Sequence, residues 1–424
     1  MIKEMNISDT EPKEILLNPT PSVIPEIQVP KVETTSSIKK KFNFKVLTFP
    51  IVAFISLAGI GAFYYFGIYK VRPQPLNNIL SFNQDFISSI SPSSLFKVNL
   101  NLLSQPQEPR TEESPINGLL FTKSQMDIMK TRRPVAVMTN NHADARPLSG
   151  TNSADVVIEA NVEGGITRLM TIYWSVAPEK VGPVRSMRQY YLEWASEYDP
   201  LIIHDGCASS DDPRINACGN LYNYGMKDLA TIGAWRWNDG RRISPHNEYN
   251  SVTYAWEYAV KMDWNSFPSN FESWKFKADA EISKRGEKTQ VKLIFHQRLN
   301  NSGLYDVIWT YDKSTNTYLR NVGGQADIDQ ETNTQVYAKN IVIQEVSMIQ
   351  SGDDKGHVII TTIGQGKSTY LMDGKITYGT WKKTSRTDRT TYYDDSGKEI
   401  QFNRGRIWVE MLPQTDGKFA IIEQ

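Results

Sequence analysis

Two arginines in one short segment are the residues most able to bind an anion. Arg185 and Arg188 follow a Gly-Pro pair, and a helix is predicted to begin at or just after Val184. Guanidinium groups spaced by three share a helix face, and free N–H groups at a helix start suit phosphate or carboxylate. Positive charge there is otherwise unfavourable, which predicts an anionic partner. The partner is either a ligand or an internal carboxylate such as Glu163.

A second basic segment lies in a predicted loop. Arg241 and Arg242 precede Pro245, and His246 and Asn247 follow it. Two tryptophans lie just before this segment. Aromatic and cationic side chains together suit a sugar or a phosphate. An ordinary solvated loop has the same composition, and the sequence leaves both interpretations open.

Two further groups of polar residues accompany predicted strands. Glu163 and Arg168 flank a Gly-Gly pair that permits a tight turn before a strand. His204 and Asp205 end a short buried strand, where α/β proteins often place ligand groups. Arg168 could point toward Arg185. The alternatives are an ordinary hairpin turn and a histidine that is part of a structural hydrogen-bond network.

The chain has no recognisable catalytic or metal-binding motif. It contains five histidines and two cysteines, and HExxH, GxSxG and paired CxxC patterns do not occur. We therefore predict no metal site and no cofactor. Cys207 and Cys218 could form a disulfide outside the cell, or remain as two free buried thiols. The 47 basic and 47 acidic side chains give zero net charge, which argues against nucleic-acid binding.

An uncharged stretch of residues 46–69 is long enough to cross a bilayer as one helix. The closely flanking lysines are mostly on its N-terminal side, which places the N-terminus in the cytoplasm and the rest outside. A cleaved signal peptide would have a shorter apolar core nearer the start. A buried core helix would not favour the proline and the three glycines that this stretch contains. The prediction is a single-pass membrane anchor.

The remaining chain divides by composition. Residues 1–45 are predicted to be a disordered cytoplasmic tail and 70–115 a linker rich in Ser, Asn, Gln and Pro. Strands and helices alternate over 116–268, which predicts an α/β domain with a mixed sheet. Short strands follow one another over 269–424 without a clear helix, which predicts a β-rich, mainly antiparallel domain. Asp373-Gly374 is typical of a hairpin turn there.

Several motifs resemble those of the YerB-like family, a domain of unknown function numbered 3048. They include ADVVIEANVEGGITR (154–168), GPVRSMR (182–188), RRISPHN (241–247) and FNRGRIWVEMLP (402–413). The resemblance implies a bacterial extracytoplasmic protein of two linked domains. Members of the family are often lipoproteins; here the 46–69 helix would replace the lipid anchor.

A weaker resemblance is to the LytR-CpsA-Psr phosphotransferases. Asp155, Arg168, Arg185 and Arg188 follow one another in an order similar to that family's, but Gln189 stands where it has an Mg²⁺-binding aspartate. Two hypotheses follow. The favoured one is an envelope protein that binds an anionic glycan, a peptidoglycan fragment or a protein partner through an arginine-rich cleft. The alternative is an enzyme acting on polyprenyl-pyrophosphate-linked saccharides, with Asp155, Glu163 or Asp205 holding a divalent ion.

Overall fold

The computed structural model describes residues 108–287, 289–298 and 303–422. The predicted cytoplasmic tail, the predicted membrane helix at 46–69 and most of the predicted linker lie outside these ranges. Within them, no helix is both long enough and apolar enough to cross a membrane. The last residues of the predicted linker, from 108 onward, are described and include a short strand, Glu112–Glu113.

The described residues contain four α-helices. They are α1 (Lys123–Lys130), α2 (Gln189–Ala195), α3 (Ala217–Asn223) and α4 (Val252–Lys261). Helix α1 begins with a capping box, in which the Thr122 hydroxyl accepts from the backbone N–H of Gln125 and the Gln125 side chain accepts from that of Thr122. The sequence interpretation missed α1 and α3. Apolar spacing in the sequence predicts helices at Met187–Tyr198 and Ser251–Met262; α2 is shorter than the first at both ends, and α4 begins and ends within one residue of the second.

Strands dominate the rest of the structure. The first nine are β1 (Glu112–Glu113), β2 (Leu120–Phe121), β3 (Val135–Asn140), β4 (Val156–Asn161), β5 (Thr167–Tyr173), β6 (Leu201–Ile203), β7 (Lys227–Ala230), β8 (Trp235–Arg236) and β9 (Glu248–Tyr249). The others are β10 (Lys275–Lys277), β11 (Gln290–Ile294), β12 (Val307–Asp312), β13 (Thr317–Val322), β14 (Gln325–Ala326), β15 (Ile328–Asp329), β16 (Thr334–Gln335), β17 (Tyr337–Ala338), β18 (Asn340–Val346), β19 (Met348–Gln350), β20 (Val358–Ile360), β21 (Gly364–Met372), β22 (Lys375–Lys383), β23 (Thr391–Asp394), β24 (Gln401–Asn403), β25 (Ile407–Pro413) and β26 (Lys418–Ile422).

One mixed sheet of ten strands organises the molecule. Its order is β23-β22-β21-β18-β25-β4-β5-β3-β6-β7. Strand β25 pairs in parallel with β4, so strands from before and after residue 268 share this sheet. The division into two domains at that residue stays a prediction, but the two parts do not have separate sheets. As predicted, Asp373 and Gly374 form the turn between β21 and β22, both with positive φ.

Both faces of the ten-stranded sheet are covered. Helices α1, α2 and α3 pack on one face, where Met126, Tyr191 and Leu221 join its core. Helix α4 and the strands β11 to β13 pack on the other, through side chains such as Trp256 and Trp309. A six-stranded antiparallel sheet contains β11 to β14, β17 and β26. The described region is therefore β-rich, with a mixed sheet and few helices, in agreement with the coarse prediction.

Candidate functional site

Most of the residues that the sequence singled out lie at one edge of the ten-stranded sheet. Strands β3, β4 and β6 run in the same direction, so their carboxyl ends meet at this edge. The 182–188 segment runs along it, since Val184 bridges to Thr139 and Met187 bridges to Cys207. Carboxyl edges of such strands commonly form ligand sites in α/β proteins.

Arg188 is held by an internal carboxylate. Its Nε lies 2.6 Å from Oε1 of Glu163 and its Nη2 lies 2.8 Å from Oε2, a two-point ion pair. Burial raises the pKa of Glu163, but the hydrogen bond and charge of Arg188 outweigh burial and leave it below its ordinary value. The sequence allowed either a ligand or an internal carboxylate as the partner of Arg188. In the structure the partner is the internal carboxylate of Glu163.

Arg168 is buried beneath the same segment. Only 8% of the residue is exposed, and Nη1 donates to the backbone carbonyl of Ser186. Burial, with the nearby charge of Arg188, lowers the pKa of the Arg168 guanidinium to about 10. Its contact is to backbone, so Arg168 fixes the path of the 182–188 segment.

Arg185 behaves differently from its neighbour three residues away. It precedes α2 and is not on a helix; the predicted helix start near Val184, with both arginines on one face, was wrong. The Arg185 side chain makes no hydrogen bond and no ion pair with the described residues, and its Nε is buried without an acceptor. Burial lowers the pKa of Arg185, and the nearby carboxylate of Asp205 opposes that shift.

Arg236 brings a second guanidinium to this place. Its Nη2 lies 2.6 Å from Oε2 of Glu248 and 3.6 Å from Oδ2 of Asp205, and Nη1 donates to Oδ1 of Asn247 at 3.2 Å. Burial and the charge of Asp205 raise the pKa of Glu248, although Arg236 opposes them. Asp205 and Asn247 thus support Arg236 rather than face outward as free groups.

Two stacked histidines border these arginines. The rings of His142 and His246 lie 4.5 Å apart between centroids. Nδ1 of His142 accepts from the backbone N–H of Asp144 at 3.2 Å. Nδ1 of His246 lies 3.0 Å from Nδ2 of Asn140, whose Oδ1 accepts from the backbone N–H of His142. Both Nδ1 atoms are therefore acceptors, which assigns the proton of each neutral ring to Nε2.

Burial lowers the pKa of His246, and the nearby His142 and Arg185 lower it further. We call His142, Arg185, Asp205, Arg236 and His246 the edge site. It offers guanidinium and imidazole N–H donors but no nucleophile paired with a base. Such N–H donors are of the kind that can bind an oxyanion.

The same histidines could also hold a metal ion. One ligand atom each from His142, Asp144 and His246 can lie within 4.8 Å of the others. Their Nδ1 atoms are already occupied, and Asp144 is largely exposed. The sequence predicts no metal site, and we propose none at this group.

The second basic segment is divided between surface and interior. Arg242 is 1% exposed, and its Nη atoms donate to Asp239, Tyr249, the carbonyl of Pro147 and Gln330. Arg241 remains exposed and donates to the carbonyl of Arg146 at 3.2 Å. The two side chains therefore do not act as a pair toward one ligand.

His204 lies at the same edge, but both of its ring nitrogens face neighbouring groups of the protein. Its Nδ1 is 2.7 Å from the carbonyl oxygen of Gly206, and its Nε2 is 3.0 Å from Oδ1 of Asp228.

Cys207 and Cys218 form a disulfide, which is one of the two alternatives that the sequence left open. This bond ties the segment after β6 to α3, and Cys207 in turn bridges to Met187.

The family is decided by comparison with known proteins. Residues 121–265 match the N-terminal domain, and residues 298–409 the C-terminal domain, of the protein family of unknown function DUF3048. The chain is 31% identical over 315 residues to YerB of Bacillus subtilis (strain 168), named as a candidate lipoprotein, covering 73% of this chain and 89% of that protein.

The chain belongs to the YerB-like DUF3048 family. A crystal structure of Bacillus subtilis YerB matches with a TM-score of 0.62 and 28% identity, covering 73% of this chain and all of that one. The family assignment predicted from the motifs is thus confirmed. The YerB relative's name supports an envelope location but does not state a ligand or a reaction.

In this YerB-like chain, Asp155 does not lie in one site with the arginines that follow it in the phosphotransferase-like order. Asp155 precedes β4, whereas Arg168 pairs with Ala160 near the other end of that strand. At about 3.3 Å per residue the two ends are about 16 Å apart. Asp155 is buried and accepts from the backbone N–H groups of Trp174 and Ser175. The expectation that Asp155 could hold a metal ion with these arginines was therefore wrong.

Sequence reasoning missed Asn140, His142 and Arg236. Asn140 is the last residue of the buried strand β3 and His142 lies two residues beyond it, and polar residues at the end of a buried strand are a signal that was available. Arg236 lies between two tryptophans in the short hairpin of β8 and β9, and only that pairing brings it beside Glu248. No local pattern indicated that contact.

Proposed function

We propose that this YerB-like chain is a membrane-tethered cell-envelope protein that binds an anionic ligand at the edge site. The observation that carries the proposal is the Arg185 side chain, which has a buried Nε and no partner among the described residues. A buried N–H group without an acceptor costs about 1–3 kcal/mol, and more for a charged group. A ligand oxyanion would remove that cost.

The surroundings of Arg185 favour such a ligand. Arg236 adds a second guanidinium, and the two imidazole rings present Nε2–H donors in their neutral form. Asp205 and Glu248 offset part of the positive charge, which suits a ligand of low charge that also accepts hydrogen bonds from neutral donors. Anionic glycans, peptidoglycan fragments, lipid-linked saccharides and protein carboxylates have this chemistry.

The location proposed is extracytoplasmic. The apolar stretch at 46–69 would serve as a single-pass anchor with residues 1–45 in the cytoplasm. The disulfide between Cys207 and Cys218 is of the kind that persists in oxidising compartments. The name of the Bacillus subtilis relative, a candidate lipoprotein, supports tethering at a membrane.

A sedimentation experiment tests this function. The full chain in detergent is mixed with purified cell-wall sacculi at low and high salt, and bound protein is measured after centrifugation. We expect salt-sensitive binding that an Arg185→Ala, Arg236→Ala double variant loses. Arg214→Ala is the matched control, because Arg214 is exposed and pairs only with its neighbour Asp212. Equal sedimentation of the double variant and the wild type, or none by the wild type, contradicts a wall ligand at the edge site.

A further inference from the structure

A cavity with a buried cation lies away from the edge site. It has a volume of about 250 Å³ and lies where residues 196–199 and 224–226 meet residues 268–272 and 386–389. Arg386 and Arg389 both line it. We call it the Arg389 cavity. The sequence interpretation singled out none of its residues.

Arg389 is caged by aromatic rings. The residue is 4% exposed, and its Cζ lies 3.7 Å from the ring centroid of Trp274, 4.2 Å from that of Tyr198 and 5.2 Å from that of Phe271. None of its three guanidinium nitrogens has a hydrogen-bond acceptor within the described ranges of the chain. Cation–π contacts stabilise the charge, and the Tyr198 hydroxyl and the Glu197 carboxylate lie nearby without forming a hydrogen bond of good geometry with Arg389.

The carboxylate of Glu197 lies near Arg389 but already accepts hydrogen bonds from other residues. Oε2 of Glu197 is 3.9 Å from Nη1 of Arg389. Its Oε1 accepts from Lys383 Nζ at 2.8 Å and from the Thr390 hydroxyl at 2.6 Å, and Oε2 accepts from the backbone N–H of Thr390. Lys383 and Glu197 are both buried. Two buried cations therefore share one carboxylate, which leaves one positive charge in excess.

Arg386 adds to that excess. Its Nη1 donates to the hydroxyl of Ser196 at 2.7 Å, and its Cζ lies 4.1 Å from the ring centroid of Tyr224. It makes no ion pair with the described residues. Two guanidinium groups thus line one cavity, each stacked on aromatic rings and neither in a close pair with a carboxylate.

The other acidic residues of the cavity do not neutralise these arginines. Asp199 pairs with Arg133 and with Lys227. Asp388 accepts from the hydroxyl of Thr384, and Glu272 is exposed at the rim. The rim charges would oppose a ligand that carries two or more negative charges, whereas a single negative charge balances the excess.

We propose that the Arg389 cavity binds a small monocarboxylate with an apolar body. The planar fork of a guanidinium matches the two oxygens of a carboxylate, so Arg389 and Arg386 would bind that group. Phe271, Met226 and Pro268 line the cavity and would contact the apolar body. At about 30 Å³ per water the volume equals roughly eight water molecules, which limits the ligand to a similar number of non-hydrogen atoms. This site is independent of the edge site.

Calorimetric titration of the full chain in detergent tests the proposal. Sodium benzoate is the probe and benzamide is its uncharged isostere. We expect benzoate to bind with a dissociation constant on the order of 1 mM, as its size allows, and benzamide to bind at least about tenfold more weakly. Arg389→Lys, which keeps the charge but not the fork, should weaken benzoate binding about tenfold.

Because Arg389 is buried, its variant could fail to fold, and Arg386→Ala provides the second test at a half-buried position. We expect it also to weaken benzoate binding about tenfold while the far-ultraviolet circular dichroism is unchanged. No benzoate binding by the wild type, equal affinity for benzamide, or unchanged affinity in Arg386→Ala overturns the proposal. Loss of benzoate binding in Arg185→Ala instead would assign the carboxylate to the edge site and overturn it as well.

Discussion

Glu163 and Arg188 form a two-point ion pair at the carboxyl edge of the ten-stranded sheet, with N–O distances of 2.6 and 2.8 Å. Arg185 lies three residues earlier and has no such partner. Two arginines that look equivalent in the sequence therefore have different roles. Arg188 is paired within the edge, and Arg185 is the arginine that we propose binds a ligand.

Replacing Arg188 should lower stability. Side-chain exposure in the pair is 14% for Arg188 and 21% for Glu163, so Arg188→Ala removes the two-point partner of a largely buried carboxylate and leaves only the more distant charge of Arg168. We expect the free energy of unfolding to fall by about 2–4 kcal/mol, somewhat less than for a fully buried pair. Urea unfolding followed by circular dichroism measures it. Arg214→Ala should leave the urea midpoint unchanged, and an equal shift in both variants would contradict this role of Arg188.

A buried charge network predicts a specific pH dependence. Arg320 Nη2 lies 2.7 Å from Oε2 of Glu159, and both side chains are fully buried. Glu410 is the neighbour of Glu159 on the adjacent strand and accepts from Trp309 Nε1 at 2.7 Å. Burial first, and then the charge of Glu159, raise the pKa of Glu410 well above its ordinary value of 4.5. We therefore expect Glu410 to keep its proton to a higher pH in the folded state than in the unfolded state.

The raised pKa of Glu410 determines the direction in which stability changes with pH. Below about pH 4.5 both the folded and unfolded states hold the Glu410 proton; above it the unfolded state releases the proton first, and stability falls as pH rises toward the folded pKa. Glu410→Gln removes that loss, worth up to about 1.4 kcal/mol per pH unit. Urea unfolding at pH 5 and pH 7 should show the variant gaining on the wild type at the higher pH. A difference that is the same at both values would contradict a protonated Glu410.

Glu159→Gln is the matched comparison for that network. It removes one of the two buried carboxylates that pair with Arg320, and the guanidinium keeps only the ion pair with Asp327 among the described residues. We expect a loss of about 3–5 kcal/mol at both pH values. Should Glu159→Gln be as well tolerated as Glu410→Gln, the division of charge between the two carboxyl groups would be wrong.

The disulfide should stabilise the edge. Cys207 and Cys218 are 11 residues apart, and a loop of that size contributes about 2–3 kcal/mol in the chain-entropy account. A Cys207→Ser, Cys218→Ser variant should lose that amount in urea unfolding. Blocking free thiols before and after reduction, with mass spectrometry, checks the pairing itself. Two thiols that react in the unreduced, denatured protein would contradict the bond.

Local patterns predicted the central strands because β3, β4 and β5 are runs of apolar residues with buried faces. They did not predict that β25 lies beside β4, since this pairing joins residues about 250 positions apart and depends on packing of the whole chain. Gly364–Ser368 shows the same limit. Its glycines imitate part of a phosphate-binding loop and predict a hairpin turn, but the segment forms the start of β21 because β22 pairs along its full length.

The candidate site, too, was predicted only in part, because it depends on contacts between residues far apart in the sequence. The motif around Arg185 and Arg188 indicated the correct region, because both lie at the carboxyl edge. The spacing of three suggested a shared helix face, whereas α2 begins only at Gln189 and the two side chains face different neighbours. Which arginine is free depends on Glu163 and Arg236, whose positions are set by separate turns and hairpins.

Native mass spectrometry of the full chain extracted from its membrane tests the central claim most directly. The wild type, Arg185→Ala and Arg188→Ala are compared for a co-purified molecule of defined mass. We expect the wild type to carry an anionic ligand, Arg185→Ala to lose it while remaining folded, and the folded fraction of Arg188→Ala to retain it. Retention by Arg185→Ala, or absence of any bound molecule from the wild type, would contradict the assignment of Arg185 as the ligand-binding group.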